Sequence, residues 1–322
     1  MGKTEKLTVR KQERLDKYLS AELKTTRNQI EALIKSGYVK VNGKTVKKGG
    51  IKLKVGETIE IEYPEVRKSE AKEPGFDVEI IYEDEDILVL NKPSGVTVHP
   101  APSVKEPTLV DWLKKRGVSL STISGEERHG IVHRIDKETS GVLVIAKNDS
   151  AHLSLSKQLQ DKSMGRYYLA IIEPPLKEDT VVEKPIGRNP KNRIKMAVVP
   201  NGREAKTAFA KIALSKDQKT ELIGAKLFTG RTHQIRVHLN AIGRHILGDC
   251  LYGFKSRSDK IKRVFLHAYI LYLRHPKTGT KMRFVAPLPD DMREFLKKRF
   301  DWESINEKIV PEQFDTIFDS VS

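Results

Sequence analysis

The residues best suited to chemistry form one short run, His-Arg-Ile-Asp-Lys-Glu-Thr-Ser-Gly, at positions 133–141. Within it, Asp136 stands between the cations Arg134 and Lys137, and an apolar strand pattern follows at residues 142–146. A carboxylate beside an arginine stays ionised, because the neighbouring positive charge favours the charged form. An ionised, oriented carboxylate suits the role of a nucleophile better than that of a proton donor.

The same run has two other interpretations. A structural Arg–Asp pair in a turn needs the same residue types, and it is the usual outcome for an isolated His-Arg-x-Asp sequence. A protein-kinase catalytic loop needs His-Arg-Asp with no inserted residue, together with a Gly-rich loop and Asp-Phe-Gly. None of these kinase motifs occurs in the sequence, so a kinase is excluded.

A second group of polar side chains lies on a predicted strand at positions 167–172. Alternate residues of a strand share a face, so Arg166, Tyr168 and Ala170 are expected to point together. A tyrosine on a strand most often belongs to the core, and the pattern alone assigns it no function.

A helix is predicted to begin after Thr232, whose side chain can cap it, and to end at Gly243. Its apolar stripe consists of Ile235, Leu239 and Ile242. His233 and His238 do not form a metal site, because residues five apart diverge around a helix and fall on opposite faces of a strand. We expect no metal.

The elements around these residues predict an α+β body at residues 76–300. Strand patterns occur at 78–81, 87–90, 142–146 and 167–172, and helical patterns at 109–115 and 150–160. Strands and helices do not alternate regularly, which favours a mixed, mostly antiparallel sheet with helices packed around it over a doubly wound fold.

A smaller unit is predicted at residues 14–64. Thr26 begins a capping box for a helix whose apolar face holds Ile30, Leu33 and Ile34, with Gly37 at its end. Asn42-Gly43 lies between alternating valines, a strong hairpin signal because both residues tolerate positive φ. Residues 65–75 are charged, end in Pro-Gly and predict a flexible linker.

Charge and cysteine content narrow the class of protein. The 59 Lys and Arg residues exceed the 43 Asp and Glu residues, giving a net charge of +16. This favours a polyanionic partner such as RNA or DNA, although a generally basic surface is the alternative. The acidic tail at 301–322 is expected to stay off the nucleic acid, either as a docked helix or partly frayed.

The single cysteine, Cys250, excludes an internal disulfide framework. No apolar run approaches the roughly 20 residues that span a bilayer, and no apolar segment follows the first residues as in a secretory signal. We therefore expect a cytoplasmic protein with no membrane association.

Four blocks of the body together resemble RNA pseudouridine synthases of the RluA/RluD type. They lie at residues 82–100, 133–146, 165–170 and 229–253. The smaller unit resembles an S4 RNA-binding domain, with a small α+β domain that binds a protein as the alternative. The resemblance implies an α+β pseudouridine synthase fold and tethering of a weak RNA binder to a catalytic body, which raises the local substrate concentration.

The resemblance also implies roles for particular residues. Asp136 would be the nucleophile, Arg236 the partner that fixes its carboxylate, and Tyr168 the ring that stacks on the target uracil and assists a proton transfer. The implied substrate-binding residues are Arg134, which holds the target nucleotide out of its stack, Arg166, and Leu266, an apolar contact for uracil. His133 is interpreted as structural.

The implied activity is the isomerisation of uridine to pseudouridine in structured RNA, without a cofactor. Attack by the aspartate at C1′ of the sugar or at C6 of the base is left open. The S4-like unit points to 23S rRNA in the pre-ribosomal large subunit, bound by a monomer. Transfer RNA is the alternative substrate, and a non-catalytic RNA-binding or ribosome-assembly factor is the alternative class.

Overall fold

The computed structural model describes residues 4–23, 27–62, 72–101, 104–118, 120–121, 130–253, 261–312, 314–319 and 321. The chain divides into two compact units, Met1–Glu70 and Ala71–Ser322. Each combines helices with a largely antiparallel sheet, so the predicted α+β class is confirmed. The predicted linker at 65–75 lies mostly outside the described residues.

The first unit is built from two helices and four short strands. They are β1 (Thr4–Thr8), α1 (Leu15–Glu22), α2 (Arg27–Lys35), β2 (Val39–Val41), β3 (Lys44–Thr45) and β4 (Thr58–Glu62). The strands pair antiparallel in the order β1-β4-β2-β3. Apolar side chains from both helices and from β2 and β4 form one core.

The helix predicted in this unit is confirmed as α2. Ile30 and Ile34 are fully buried, as a shared apolar face requires. Gly37 has φ of 82°, and its N–H donates to the carbonyl of Ile34 at 3.0 Å, which ends the helix. The predicted cap, Thr26, lies outside the described residues.

The Asn-Gly hairpin is also confirmed. Asn42 and Gly43 have φ of 50° and 76°, the left-handed values that a two-residue hairpin turn needs. The side-chain oxygen of Asn42 accepts the N–H of Thr58 at 2.9 Å, which links the turn to β4.

The second unit carries the remaining elements. Its strands are β5 (Glu79–Glu83), β6 (Ile87–Lys92), β7 (Ser140–Ala146), β8 (Gly165–Glu173), β9 (Thr180–Glu183), β10 (Ile186–Arg188), β11 (Met196–Val198), β12 (Lys206–Leu214), β13 (Glu221–Leu227), β14 (His245–Ile246), β15 (Leu266–Arg274) and β16 (Lys281–Val285). Its helices are α3 (Leu109–Lys115), α4 (Asp149–Gln160), α5 (Gln234–Ala241), α6 (Asp290–Arg299) and α7 (Trp302–Lys308). Among the described helices of the chain, none is long and apolar enough to cross a membrane.

Ten strands form one mixed sheet. Eight follow the order β5-β6-β7-β15-β8-β13-β12-β9, while β14 pairs with β8 and β16 pairs with β15. The pair β7–β15 is parallel, and every other described pair in this sheet is antiparallel. The prediction of a mixed, mostly antiparallel sheet is therefore confirmed.

Gly141 allows the parallel pair to form. It has φ of 115°, and a Cβ at this position would lie 2.1 Å from the carbonyl oxygen of Ala268. Any larger residue would push β7 away from β15. The glycine thus permits the close approach of β7 to β15 just after the segment that carries Asp136.

The described part of the C-terminal segment docks on the body. Ile305, Phe314 and Phe318 are buried at 1% exposure or less. The Tyr269 hydroxyl donates to the carbonyl of Ile309 at 2.9 Å. Of the two alternatives for this segment, docking is the one that the structure shows.

Candidate active site

All six residues that the sequence singled out line one cleft in the second unit. They are Arg134, Asp136, Arg166, Tyr168, Arg236 and Leu266. The cleft has a volume of about 70 Å³.

Asp136 lies in the loop before β7, and a second loop braces its neighbours. The N–H of Gly95 donates to the carbonyl of Lys137 at 2.8 Å. The Ser94 hydroxyl donates to the carbonyl of Glu138 at 2.7 Å. The Asp136 side chain is 16% exposed, so its carboxylate is mostly shielded from solvent but still faces the cleft.

Lys92, at the end of β6, bonds both the loop after β6 and the loop that carries Asp136. Its fully buried ammonium group donates to the carbonyls of Pro93 at 2.7 Å, Val96 at 2.8 Å and Lys137 at 3.2 Å. Burial lowers the pKa of Lys92 to about 7, against the opposing charge of Asp136. Three carbonyl acceptors suit the protonated form.

Arg236 on α5 contacts two carboxylates. Its Nη1 lies 3.5 Å from Oδ2 of Asp136. Its Nε and Nη2 donate to Asp249 at 2.7 and 2.8 Å, a bidentate pair. Burial favours a lower pKa for Arg236, but the hydrogen bond and charge of Asp249, with a smaller contribution from Asp136, raise it. The expected contact with Asp136 is present, and Asp249 makes the closer one.

Tyr168 sits on the central strand β8 between small residues. Its Cα is paired with Ala225 on β13 and Ala268 on β15, so neither neighbouring strand crowds the ring. Burial raises the pKa of Tyr168, against the lowering effect of Arg166. The phenol therefore stays protonated near neutral pH and can donate a hydrogen bond into the cleft.

The alternation predicted for β8 is observed. Arg166 and Tyr168 line the cleft, whereas the intervening Tyr167 packs against Phe314 and Phe318 at ring-centre distances of 5.4 and 5.2 Å. The C-terminal segment thus supports the strand behind the cleft.

His133 is buried and does not line the cleft. Its Nε2 accepts the N–H of Val144 at 3.2 Å, and its Nδ1 lies 3.2 Å from Nη1 of Arg166. Burial, assisted by the charge of Arg166, lowers the pKa of His133 well below its ordinary value. These contacts agree with a structural role.

Arg134 and Leu266 differ in their exposure to solvent, since the arginine is exposed and the leucine is buried. Arg134 is exposed, with Nη1 3.2 Å from Nε2 of His99. Leu266 is 3% exposed and offers an apolar wall. The long exposed cation is free to follow a bound nucleotide, and the buried leucine is fixed.

The start of α5 differs from the prediction. The residue before the helix is His233, with φ of 57°, and Thr232 is not the cap. The Gln234 side chain accepts the N–H of Arg231 at 2.9 Å. This bond closes the turn before α5, and the helix begins one residue later than a cap at Thr232 predicts. His233 Nδ1 lies 2.8 Å from the hydroxyl of Tyr252.

Two of these side chains, Asp249 and Tyr252, were not predicted as site residues. The Tyr252 ring centre lies 5.0 Å from Cζ of Arg236. Tyr252 and Asp249 therefore contact the same guanidinium group. Their contacts with Arg236 join residues thirteen or more positions apart, so no local pattern predicts them. The only signal in the sequence is that both residues lie in the block at 229–253.

One group among the described residues has the geometry of a metal site: Asp84, Asp86 and His275. His275 Nδ1 accepts N–H groups from Lys277 and Thr278, so its Nε2 carries the proton that it donates to Asp84 at 2.9 Å. That nitrogen is not available to a cation. The group connects β5 to the turn after β15 and is not part of the cleft.

Comparison with known proteins now identifies the family. A family model described as RNA pseudouridylate synthase matches residues 86–241, and a model of the S4 domain matches residues 13–59. An RNA pseudouridine synthase from Helicobacter pylori is 49% identical over 307 residues, covering 93% of this chain and 94% of the relative. The chain belongs to the RNA pseudouridine synthase family.

Further relatives agree with the RluA/RluD type. A ribosomal large subunit pseudouridine synthase D from Zymomonas mobilis is 37% identical over 294 residues, covering 88% of this chain and 93% of the relative. A solved structure, human RNA pseudouridylate synthase domain containing 1, matches with a TM-score of 0.54 at 27% identity, covering 67% of this chain and 86% of the human one. The protein is thus an isomerase with an S4 domain that binds RNA.

Proposed function

We propose that this pseudouridine synthase modifies uridines of 23S rRNA in the assembling large ribosomal subunit. The Zymomonas mobilis relative is named as a large-subunit enzyme and matches across both units of this chain. The S4 domain and the net charge of +16 suit a large folded RNA.

One observation carries the proposed chemistry: Asp136, Tyr168 and Arg236 meet at a single cleft. The Asp136 carboxylate is the nucleophile, and it attacks the target nucleotide at C1′ of the sugar or C6 of the base. Arg236 stabilises its negative charge from 3.5 Å. The bidentate bond to Asp249 keeps that guanidinium in place.

The isomerisation leaves the elemental composition of the nucleotide unchanged. The bond from N1 to C1′ breaks, the base turns, and a bond from C5 to C1′ forms. The bond that Asp136 makes with the nucleotide is broken again before the product leaves, so the free carboxylate is regenerated. The proton on C5 leaves and N1 gains one, with no net oxidation and no water consumed. No cofactor is required, and the protonated Tyr168 is placed to take part in the proton transfer.

Everting the target base has a cost that the cleft offsets. Unstacking a nucleotide costs a few kcal/mol, and stacking on an aromatic ring contributes about 1–3 kcal/mol. Tyr168 supplies the ring and Leu266 the opposing apolar contact. The exposed Arg134 fills the space that the base leaves in the RNA.

The substrate proposal is tested by tritium release. The protein is incubated separately with 23S rRNA and with a tRNA pool, each labelled at C5 of uridine. We expect release from 23S rRNA and little from tRNA, because the proposal assigns the former as substrate. Release from tRNA alone would overturn the 23S assignment and leave the isomerase activity intact.

A further inference from the structure

A second cavity adjoins the catalytic cleft. It has a volume of about 550 Å³, within the range of ligand-binding pockets. Arg134, Arg166, Leu227 and Gly230 line both the cavity and the cleft, so the two share a wall. The other walls come from the end of α4 and the segment after it, the end of β13, and Tyr272 near the end of β15.

Arg166 in the shared wall is incompletely bonded. Its side chain is buried at 8% exposure, and Nη1 contacts His133. Its buried Nε has no hydrogen-bond partner within the described part of the chain. A buried donor without an acceptor is costly, so the shared wall contains a polar group that the described residues leave unsatisfied.

The cavity is lined by cations without opposing carboxylates. Lys162 and Lys226 join Arg134 and Arg166, and none of the described lining residues is Asp or Glu. Lys226 Nζ lies 5.5 Å from the ring centre of Phe228. An uncompensated cluster of this kind favours an anionic ligand.

The same walls also offer apolar and aromatic surface. Phe228 and Tyr272 are half-buried and line the cavity, as do Leu159 and Met164. Phosphate-binding cations beside aromatic rings are the combination that single-stranded nucleic-acid sites use. The lining therefore offers cations for a phosphate and aromatic surface for a base.

We propose that this second cavity binds a nucleotide adjacent to the target uridine in the same RNA strand. The proposal rests on the proposed function, because the shared wall places this nucleotide beside the one that Asp136 attacks. The enzyme then requires two neighbouring unpaired nucleotides, which restricts it to loops, bulges and other unstacked segments of a folded RNA.

The test asks whether a change in the cavity and the loss of one flanking base affect the same contact. A stem–loop carrying a uridine that the wild-type protein modifies is prepared with each nucleotide flanking that uridine replaced, one at a time, by an abasic residue. Wild type, Phe228→Leu and Lys226→Gln are compared by kcat/KM. Lys219→Gln, in the turn that precedes β13, is the matched control.

We expect wild type and Lys219→Gln to lose about tenfold in kcat/KM at one flanking abasic position. Phe228→Leu and Lys226→Gln lose about tenfold on the intact RNA and less than twofold more at that position, because the contact is already gone. Phe228→Leu removes the aromatic ring but keeps an apolar side chain at this position. If this variant does not fold, Lys226→Gln tests the same cavity independently.

Equal losses in wild type and both cavity variants at every flanking position would overturn the proposal. So would a wild type that tolerates all abasic replacements. Failure of the proposed function gives a different result: wild type would form pseudouridine in tRNA and in no part of 23S rRNA, and the stem–loop would then be taken from tRNA for the same comparison.

Discussion

At the scale of single residues, Arg236 connects two carboxylates that differ in their surroundings. Asp249 is 1% exposed and bonds the guanidinium in bidentate fashion, whereas Asp136 is 16% exposed, lies 3.5 Å away and faces the cleft. The buried pair fixes the arginine, and the looser contact leaves Asp136 available to a substrate. We infer that Asp249 positions Arg236.

Asp249→Asn is expected to lower kcat by tenfold or more with a smaller change in KM, because Arg236 loses its anchor. Removing one partner of a buried ion pair costs about 3–5 kcal/mol, so the melting temperature should also fall by about 5 °C or more. Asp217→Asn, an exposed residue paired with Arg299, is the control. Unchanged kcat in Asp249→Asn would contradict the positioning role.

Lys92 offers a second test at this scale. Lys92→Met keeps the length of the side chain but removes the ammonium donor from the carbonyls of Pro93 and Val96, while the carbonyl of Lys137 keeps the N–H of Gly95. Each unsatisfied buried carbonyl costs about 1–3 kcal/mol. We expect a lower melting temperature and reduced turnover, measured beside Lys105→Met as control; normal turnover would show that the loop holds without this anchor.

At the scale of elements, the sequence predicts what local chemistry decides. The Asn42-Gly43 turn, the end of α2 at Gly37 and the bounds of α3 all follow from short patterns, and all are confirmed. The alternation along β8 follows from strand geometry. These features need no knowledge of distant contacts.

Features that depend on distant contacts were missed or left undecided. Thr232 has the chemistry of a cap, but α5 starts after His233. The Gln234 side chain accepts the N–H of Arg231 and is held by the carbonyl of Lys206, to which its amide donates at 3.0 Å from 28 positions away. The bond between Arg236 and Asp249 and the docking of the C-terminal segment join parts of the chain whose approach no local pattern encodes. The metal and cofactor predictions remain predictions.

The docked C-terminal segment provides an element-scale prediction. Phe314 is fully buried, and its ring centre lies 5.4 Å from that of Tyr167 on the strand that carries Tyr168. Phe314→Ala is expected to cost about 3–5 kcal/mol of stability and to lower activity by loosening β8. Thermal unfolding of this variant is compared with Glu307→Ala, an exposed change on α7; equal melting temperatures would exclude the supporting role.

At the scale of the whole molecule, charge is unevenly distributed. The net charge is +16, yet residues 301–322 contain six acidic side chains and one basic one. One of those acidic groups, Asp315, is bonded to Tyr167 and Arg283 of the body. The positive excess therefore belongs to the S4 domain and the catalytic body, where RNA binds.

Deletion of residues 1–64 is expected to weaken RNA binding and to reduce its dependence on salt, because fewer cations displace counterions from phosphates. Some turnover should remain, since the cleft is built entirely from the second unit. Affinity is measured at several salt concentrations for the full and shortened chains. An unchanged salt slope would argue against RNA contact by the S4 domain.

The role of Asp136 as nucleophile is tested most directly by tritium release from C5-labelled 23S rRNA with wild type and Asp136→Asn, together with RNA affinity for both. We expect release by wild type, no detectable release by Asp136→Asn, and affinities within a few-fold of each other, because the substitution removes only the attacking charge. Equal release by the two proteins would contradict the assignment of Asp136 as the nucleophile.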